Sequence, residues 1–134
     1  YAAYYAGVAQ LRLDRASDAL ASFRALQGQK PVGYLAEAAV VGEADALVAA
    51  GTPADAVPVY ERLLKGRLSD VESIYLKLGA AAKAAGDAPR AAEAFTHVLY
   101  EFPLGPNAAT AEQELELLRL RKAIEPGSAR YKLE

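Results

Sequence analysis

The sequence predicts an all-α fold, a solenoid of three helix-turn-helix repeats followed by one further helix, and three observations carry that expectation. The first is compositional. Of 134 residues, 31 are Ala and 18 are Leu, against three Phe, two Ile and no Trp, a bias toward strong helix formers over β-branched residues. The second is internal repetition. Ala19-Leu20-Ala21-Ser22-Phe23, Ala56-Val57-Pro58-Val59-Tyr60 and Ala91-Ala92-Glu93-Ala94-Phe95 each set a small residue four positions before an aromatic. Their leading alanines are 37 and 35 residues apart, within the range of helix-pair solenoids. The third is a turn four or five residues ahead of each alanine, at Asp14-Arg15, Gly51-Thr52 and Gly86-Asp87.

Taken in order, the helices are expected near 1 to 13, 16 to 27, 33 to 50, 53 to 65, 70 to 85, 88 to 102 and 107 to 124. Gly7 and Gly79 stand 12 residues before Ala19 and Ala91, and Ala44 holds the same place before Ala56, so a small residue recurs where paired helices must approach closely. Gly51 suits a left-handed helix end, Thr52 a cap and Pro53 a first helical turn, and Gly86-Asp87 repeats that logic. Gly28 and Gly66 close the second helices of the first two pairs. Ser69-Asp70-Val71-Glu72 has the spacing of a capping box, and Asn107 is placed to cap the last helix. The repeats are therefore expected at 1–32, 34–68 and 70–104, with an extra helix at 107–124, all in one domain spanning 1–134.

On that last helix, at 100° per residue, Ala108, Ala111, Leu115 and Leu118 share one face. Leu117, Leu120 and Ile124 cluster on nearly the opposite side. One covered face does not account for both stripes, so the second is expected to meet another repeat or a neighbouring molecule, giving a homo-oligomer through the C-terminal helix. The stretch from Ser128 to Glu134 has the composition of a further helix start. With that stretch, the absence of Met and the start at Tyr1, the sequence is expected to be a segment of a longer solenoid.

Charge and residue inventory exclude several functions. Fifteen basic and 17 acidic side chains give a net charge of -2, too balanced for the counterion-release affinity of nucleic-acid binders. There is no Cys, hence no disulfide, thiol nucleophile or Cys-ligated zinc. No uncharged run approaches the roughly 20 residues of a membrane span. His97 is the only His and has no evident catalytic partner. Glu112, Glu114 and Glu116 share their helix with Arg119, Arg121 and Lys122, which suits ion pairs at i, i+3 on a solvated face better than a metal or acid/base site. No GxGxxG or GxxxxGK loop is present. The chain is expected to be no enzyme, with no catalytic residue, no metal and no cofactor.

These residues resemble the tetratricopeptide repeat family over roughly residues 1 to 124, which implies that the repeats wind into a right-handed superhelix. The third repeat carries the likeness best, with Tyr75, Leu78-Gly79, Gly86-Asp87, Ala91, Phe95, Leu99 and Pro103 at the signature positions. Asp14 replaces the turn glycine of the first repeat, Leu68 replaces the closing proline of the second, and three extra residues lengthen the first junction. The resemblance implies a non-catalytic scaffold that binds a peptide or helix of a protein partner in the concave groove of the first helices. The groove positions are Tyr4, Val8, Leu11, Arg12, Val41, Asp45, Val48, Leu76, Lys77 and Lys83, an apolar set with few charges that lacks the Lys and Asn clamp for chaperone C-termini. Tyr1, Tyr5, Tyr34 and Tyr75 are expected on or before the same face, to line the groove or plug the core between repeats.

Ala-rich, Arg-over-Lys composition and the phrase Tyr100 to Ala109 resemble bacterial cell-envelope repeat proteins, which implies a periplasmic or envelope location. They include the helical regions upstream of lytic transglycosylases, so a non-catalytic module of such an enzyme is the alternative reading. Glu72-Ser73 matches the catalytic pair of those enzymes, but the Gly-Leu-Met-Gln stretch that follows it there is missing.

Overall fold

The structure, a computed structural model, describes residues 1–66 and 70–124, the last two by their backbone alone. The described residues form seven helices and no strand: α1 (Ala2–Arg12), α2 (Ala16–Gly28), α3 (Gly33–Ala49), α4 (Pro53–Leu64), α5 (Val71–Ala84), α6 (Ala88–Glu101) and α7 (Ala108–Ile124). Each helix packs on the next, and α1 also touches α3. The result is three antiparallel pairs and a seventh helix, as the repetition predicts. Leu68, Ser69 and the stretch after residue 124 lie outside the described residues.

The junctions show why the chain turns where it does. Gly51 and Gly86 have φ of 87° and 84°, and Asp14 takes 59° at the matching place in the first turn. Asp tolerates the left-handed region better than most side chains, so the departure from glycine leaves the turn intact. Asp87 accepts from the backbone N–H of Arg90 at 3.2 Å, a side-chain cap. Thr52 behaves otherwise than expected: it stands at the N-cap of α4, but its hydroxyl donates back to the Leu47 carbonyl of α3 at 2.9 Å. The expected capping box also changes. The cap of α5 is Asp70, which accepts from the Ser73 N–H at 3.1 Å, and that leaves Glu72 for another role. Gly28 is the last residue of α2, and the left-handed turn after it falls on Lys30.

Packing follows the repeated motif. Ala19, Ala56 and Ala91 are fully covered, and Phe23, Tyr60 and Phe95 are buried beside them. The Phe95 ring lies against Gly79, where an added Cβ would stand 2.6 Å from it. Phe23 is held from two sides: a Cβ at Gly7 would stand 2.7 Å from the ring and one at Gly42 only 2.4 Å. Gly42 escapes the 12-residue rule because it belongs to the next repeat, two positions before Ala44. Helix approach is thus set by aromatic rings laid directly on backbone.

Because Ala91 has no exposed surface, Ala91→Leu is expected to destabilise the fold by about 1 to 3 kcal/mol through overpacking. Exposed Ala88, three residues away on the same helix, is the control, and Ala88→Leu is expected to cost less. Chemical denaturation of the two variants checks the difference; equal costs would mean that the motif is misaligned.

Candidate functional site

The first helices of the second and third pairs, α3 and α5, and the seventh helix α7 are joined by polar bridges centred on α5. Lys77 donates to Asp45 of α3 at 2.9 Å, and Lys83 donates to Glu114 of α7 at 2.6 Å. Both pairs are partly exposed, and pairs of that kind contribute about 0.2 to 1 kcal/mol. Their larger consequence is chemical. Charges that the sequence alone would offer to a ligand are matched within the fold, and aliphatic surface remains between them. A cleft of about 410 Å³ opens between α5 and α7, with Leu76, Ala80 and Ala84 on its apolar side and Lys83, Glu114 and Arg121 at its edge.

Asp45 has a second partner, since the Tyr60 hydroxyl donates to its other oxygen at 2.6 Å. Burial raises the Tyr60 pKa far above the usual 10.0, and the bond and charge of Asp45 raise it further. The sign of the linkage follows: a raised folded-state pKa stabilises fully below about pH 10, and that contribution is lost as pH climbs above it. Tyr60→Phe is expected to cost about 0.5 to 1.5 kcal/mol near neutrality. Urea denaturation should show its deficit against the unsubstituted protein constant up to about pH 9 and shrinking as pH rises above about 10. A deficit independent of pH would mean that the hydroxyl carries no such linkage.

The expected groove residues separate into two groups. Tyr4, Val8 and Leu11 are half-buried against Ala19, Phe23 and Ala46, with the Tyr4 ring 6.1 Å from that of Phe23 and edge-on to Tyr5; they serve the core at least as much as any ligand. Arg12 is exposed. Val41 packs on the central cluster around Tyr60 and Leu78, and Val48 is exposed at the end of α3. Asp45 and Lys77 meet each other, and Leu76 and Lys83 share the α5–α7 cleft. On α7, Leu118 packs on the Phe95 cluster while Leu117 and Leu120 are exposed. The side chain of Ile124 lies outside the described residues.

Of the two places expected for Tyr75, the groove and the core between repeats, it takes the second, packed against the Phe95 cluster. It stacks on His97 of α6, ring centroids 4.5 Å apart and 10° from parallel, in a separate cleft of about 200 Å³ between α4, α5 and α6. Burial raises its pKa, with Glu101 and Glu93 adding to the shift. His97 Nδ1 lies 3.3 Å from Glu101, and Arg90 pairs with Glu61 at the mouth of the same cleft. Tyr1, Tyr5 and Tyr34 are exposed.

Glu72 is the contact least legible in the sequence. Its carboxylate accepts from both the backbone N–H and the side-chain amide of Asn107, each at 2.9 Å. A Cβ on Gly105 would stand 2.4 Å from that carboxylate. Instead of completing a cap on its own helix, Glu72 reaches 35 residues along the chain to the start of α7, where a carboxylate also favours the helix dipole.

Among the described residues, no group of three or more His, Asp or Glu is placed to hold a metal ion, and no helix is long and apolar enough to cross a membrane. No curated protein matches the chain. Residues 74–104, from the second half of the first α5 turn to the loop after α6, match the sequence model of the tetratricopeptide repeat family.

Proposed function

We propose that the chain is a non-catalytic protein-interaction scaffold that takes an apolar peptide segment of another protein along α3, α5 and α7. The observation that carries this reading is the state of α5. Both of its groove lysines are neutralised by carboxylates on neighbouring helices, which leaves Leu76, Ala80 and Ala84 as the apolar side of a cleft edged by the Lys83–Glu114 pair and Arg121. A cleft of this kind favours aliphatic anchors over a charged terminus. The tetratricopeptide repeat match across α5 and α6 supports it, since helix pairs of this family serve as protein-interaction modules.

Selection of random phage-displayed peptides on the immobilised protein tests the reading. Enriched sequences are expected to be aliphatic. Their affinity should fall at least about tenfold in Ala80→Glu, which sets a charge in the cleft, and little in Glu112→Ala on an exposed part of α7, because truncations that matter cluster at the contact centre. No enrichment, or equal losses in both variants, overturns it.

A further inference from the structure

The outward face of α7 is apolar in the middle and divided in charge along its length. Leu117 and Leu120 are 52% and 47% exposed, whereas Ala108, Ala111 and Leu118 of the same helix are buried in the body of the protein. In sequence Glu112, Glu114 and Glu116 come before Leu117, and Arg119, Arg121 and Lys122 after it; Glu114 is turned to Lys83 of α5, and Arg121 and Lys122 border Ala88 and Ala92 of α6, so Glu112, Glu116 and the Arg119 paired with Glu116 are the charges beside the Leu117 face. Glu112 and Glu116 line a shallow cleft beside Leu117 together with Ala109 and Gln113.

We propose that this face is an interface with a second copy of the chain, the two α7 helices pairing antiparallel about a two-fold axis near Leu117. The charge order selects that occupant and that direction. A parallel pair sets the acidic half of one helix beside the acidic half of the other; an antiparallel pair sets each acidic half beside a basic one, and opposes the helix dipoles favourably as well. With Leu117 at the axis, Leu120 lies against Gln113 of the second copy. Glu116 lies beside Arg119 of the second copy, whose guanidinium enters the cleft lined by Glu112 and Glu116. Within one chain Glu116 and Arg119 already pair on the exposed surface at 2.5 Å; association exchanges the two internal pairs, one in each copy, for two pairs across the axis. An interface of one helix face from each copy belongs to the small class of contacts, below roughly 1,200 Å², that supports weak, reversible association.

Sedimentation equilibrium of the 134-residue chain over a range of concentrations tests the proposal. A monomer–dimer equilibrium is expected, with its Kd raised at least about tenfold by Leu120→Lys. A charge exchange tests the direction. Glu116→Lys alone sets the new lysine against Arg119 of the second copy, and Arg119→Glu alone sets two acids together, so each variant should dimerise at least about tenfold more weakly. Mixed in equal amounts, the two should form a heterodimer near the original affinity, because both cross-axis pairs are again opposite in sign. Circular dichroism of each variant, all substituted at exposed positions, reports whether the helices are kept. A chain that stays monomeric, dimers indifferent to Leu120→Lys, or a mixture that fails to recover affinity while both variants remain folded overturns the proposal. A monomer would leave the face to a different protein or to further sequence of a longer chain.

Discussion

Phe23→Ala is expected to remove about 3 to 5 kcal/mol of stability, the usual cost of deleting a buried aromatic ring and a large part of the ~5 to 15 kcal/mol that holds a domain together. The ring is nearly inaccessible to solvent and anchors the cluster of Ala19 and Ala46, with Tyr4, Val8 and Leu11 packed around it. It is also pressed against the backbones of α1 and α3 at Gly7 and Gly42. Helix backbones do not collapse freely into the space a ring leaves, so the cavity term should persist rather than relax away. Urea denaturation followed by circular dichroism measures the loss; a change below about 1 kcal/mol would mean that the three helices close over the gap.

Gly42→Ala sets two effects of opposite sign against each other. Helix propensity alone predicts a gain of about 1 kcal/mol, since Gly42 lies inside α3 and Ala is the better helix former. Packing predicts a loss of about 1 to 3 kcal/mol, because the new Cβ would stand 2.4 Å from the Phe23 ring, which is itself backed by Gly7 and cannot retreat. Packing is expected to win. Gly28→Ala isolates the other term: a Cβ there meets nothing within 4 Å, so that variant should be neutral or more stable. Combining Gly42→Ala with Phe23→Leu should recover part of the loss, with a coupling of about 0.5 to 3 kcal/mol. Additive losses would mean that the ring is not what confines Gly42.

How much of this was legible in the sequence depends on the range of the contacts. Helix boundaries are set by local chemistry, and Gly51-Thr52-Pro53 and Gly86-Asp87 mark them to within a residue or two of the observed ends. The alanine and aromatic motif is equally readable because each helix pair uses it in the same way. What failed depends on how one pair sits on the next. Gly42 supports an aromatic of the preceding repeat, so no spacing within its own repeat reveals it. Tyr75 follows the pattern of the first helices, and only the turn of α5 about its axis decides that it goes to His97 rather than to the groove. Lys77 and Lys83 look like free groove cations until Asp45 and Glu114, 32 and 31 residues distant, are brought to them. Glu72 shows the limit most plainly, because a capping residue and a long-range anchor have the same local sequence.

That anchor bears on how the chain comes apart. Repeat proteins open by fraying from their ends, since a terminal helix touches only one neighbour. Here α7 rests on α6 but is also bonded to α5 at its first turn through Glu72 and farther along through Glu114. Releasing α7 therefore breaks its bonds to α5 as well as its packing on α6. Amide hydrogen exchange should register this as a single protected unit running from α5 through α7, with slow-exchanging amides in α7 itself, rather than as a gradient that fades toward its end.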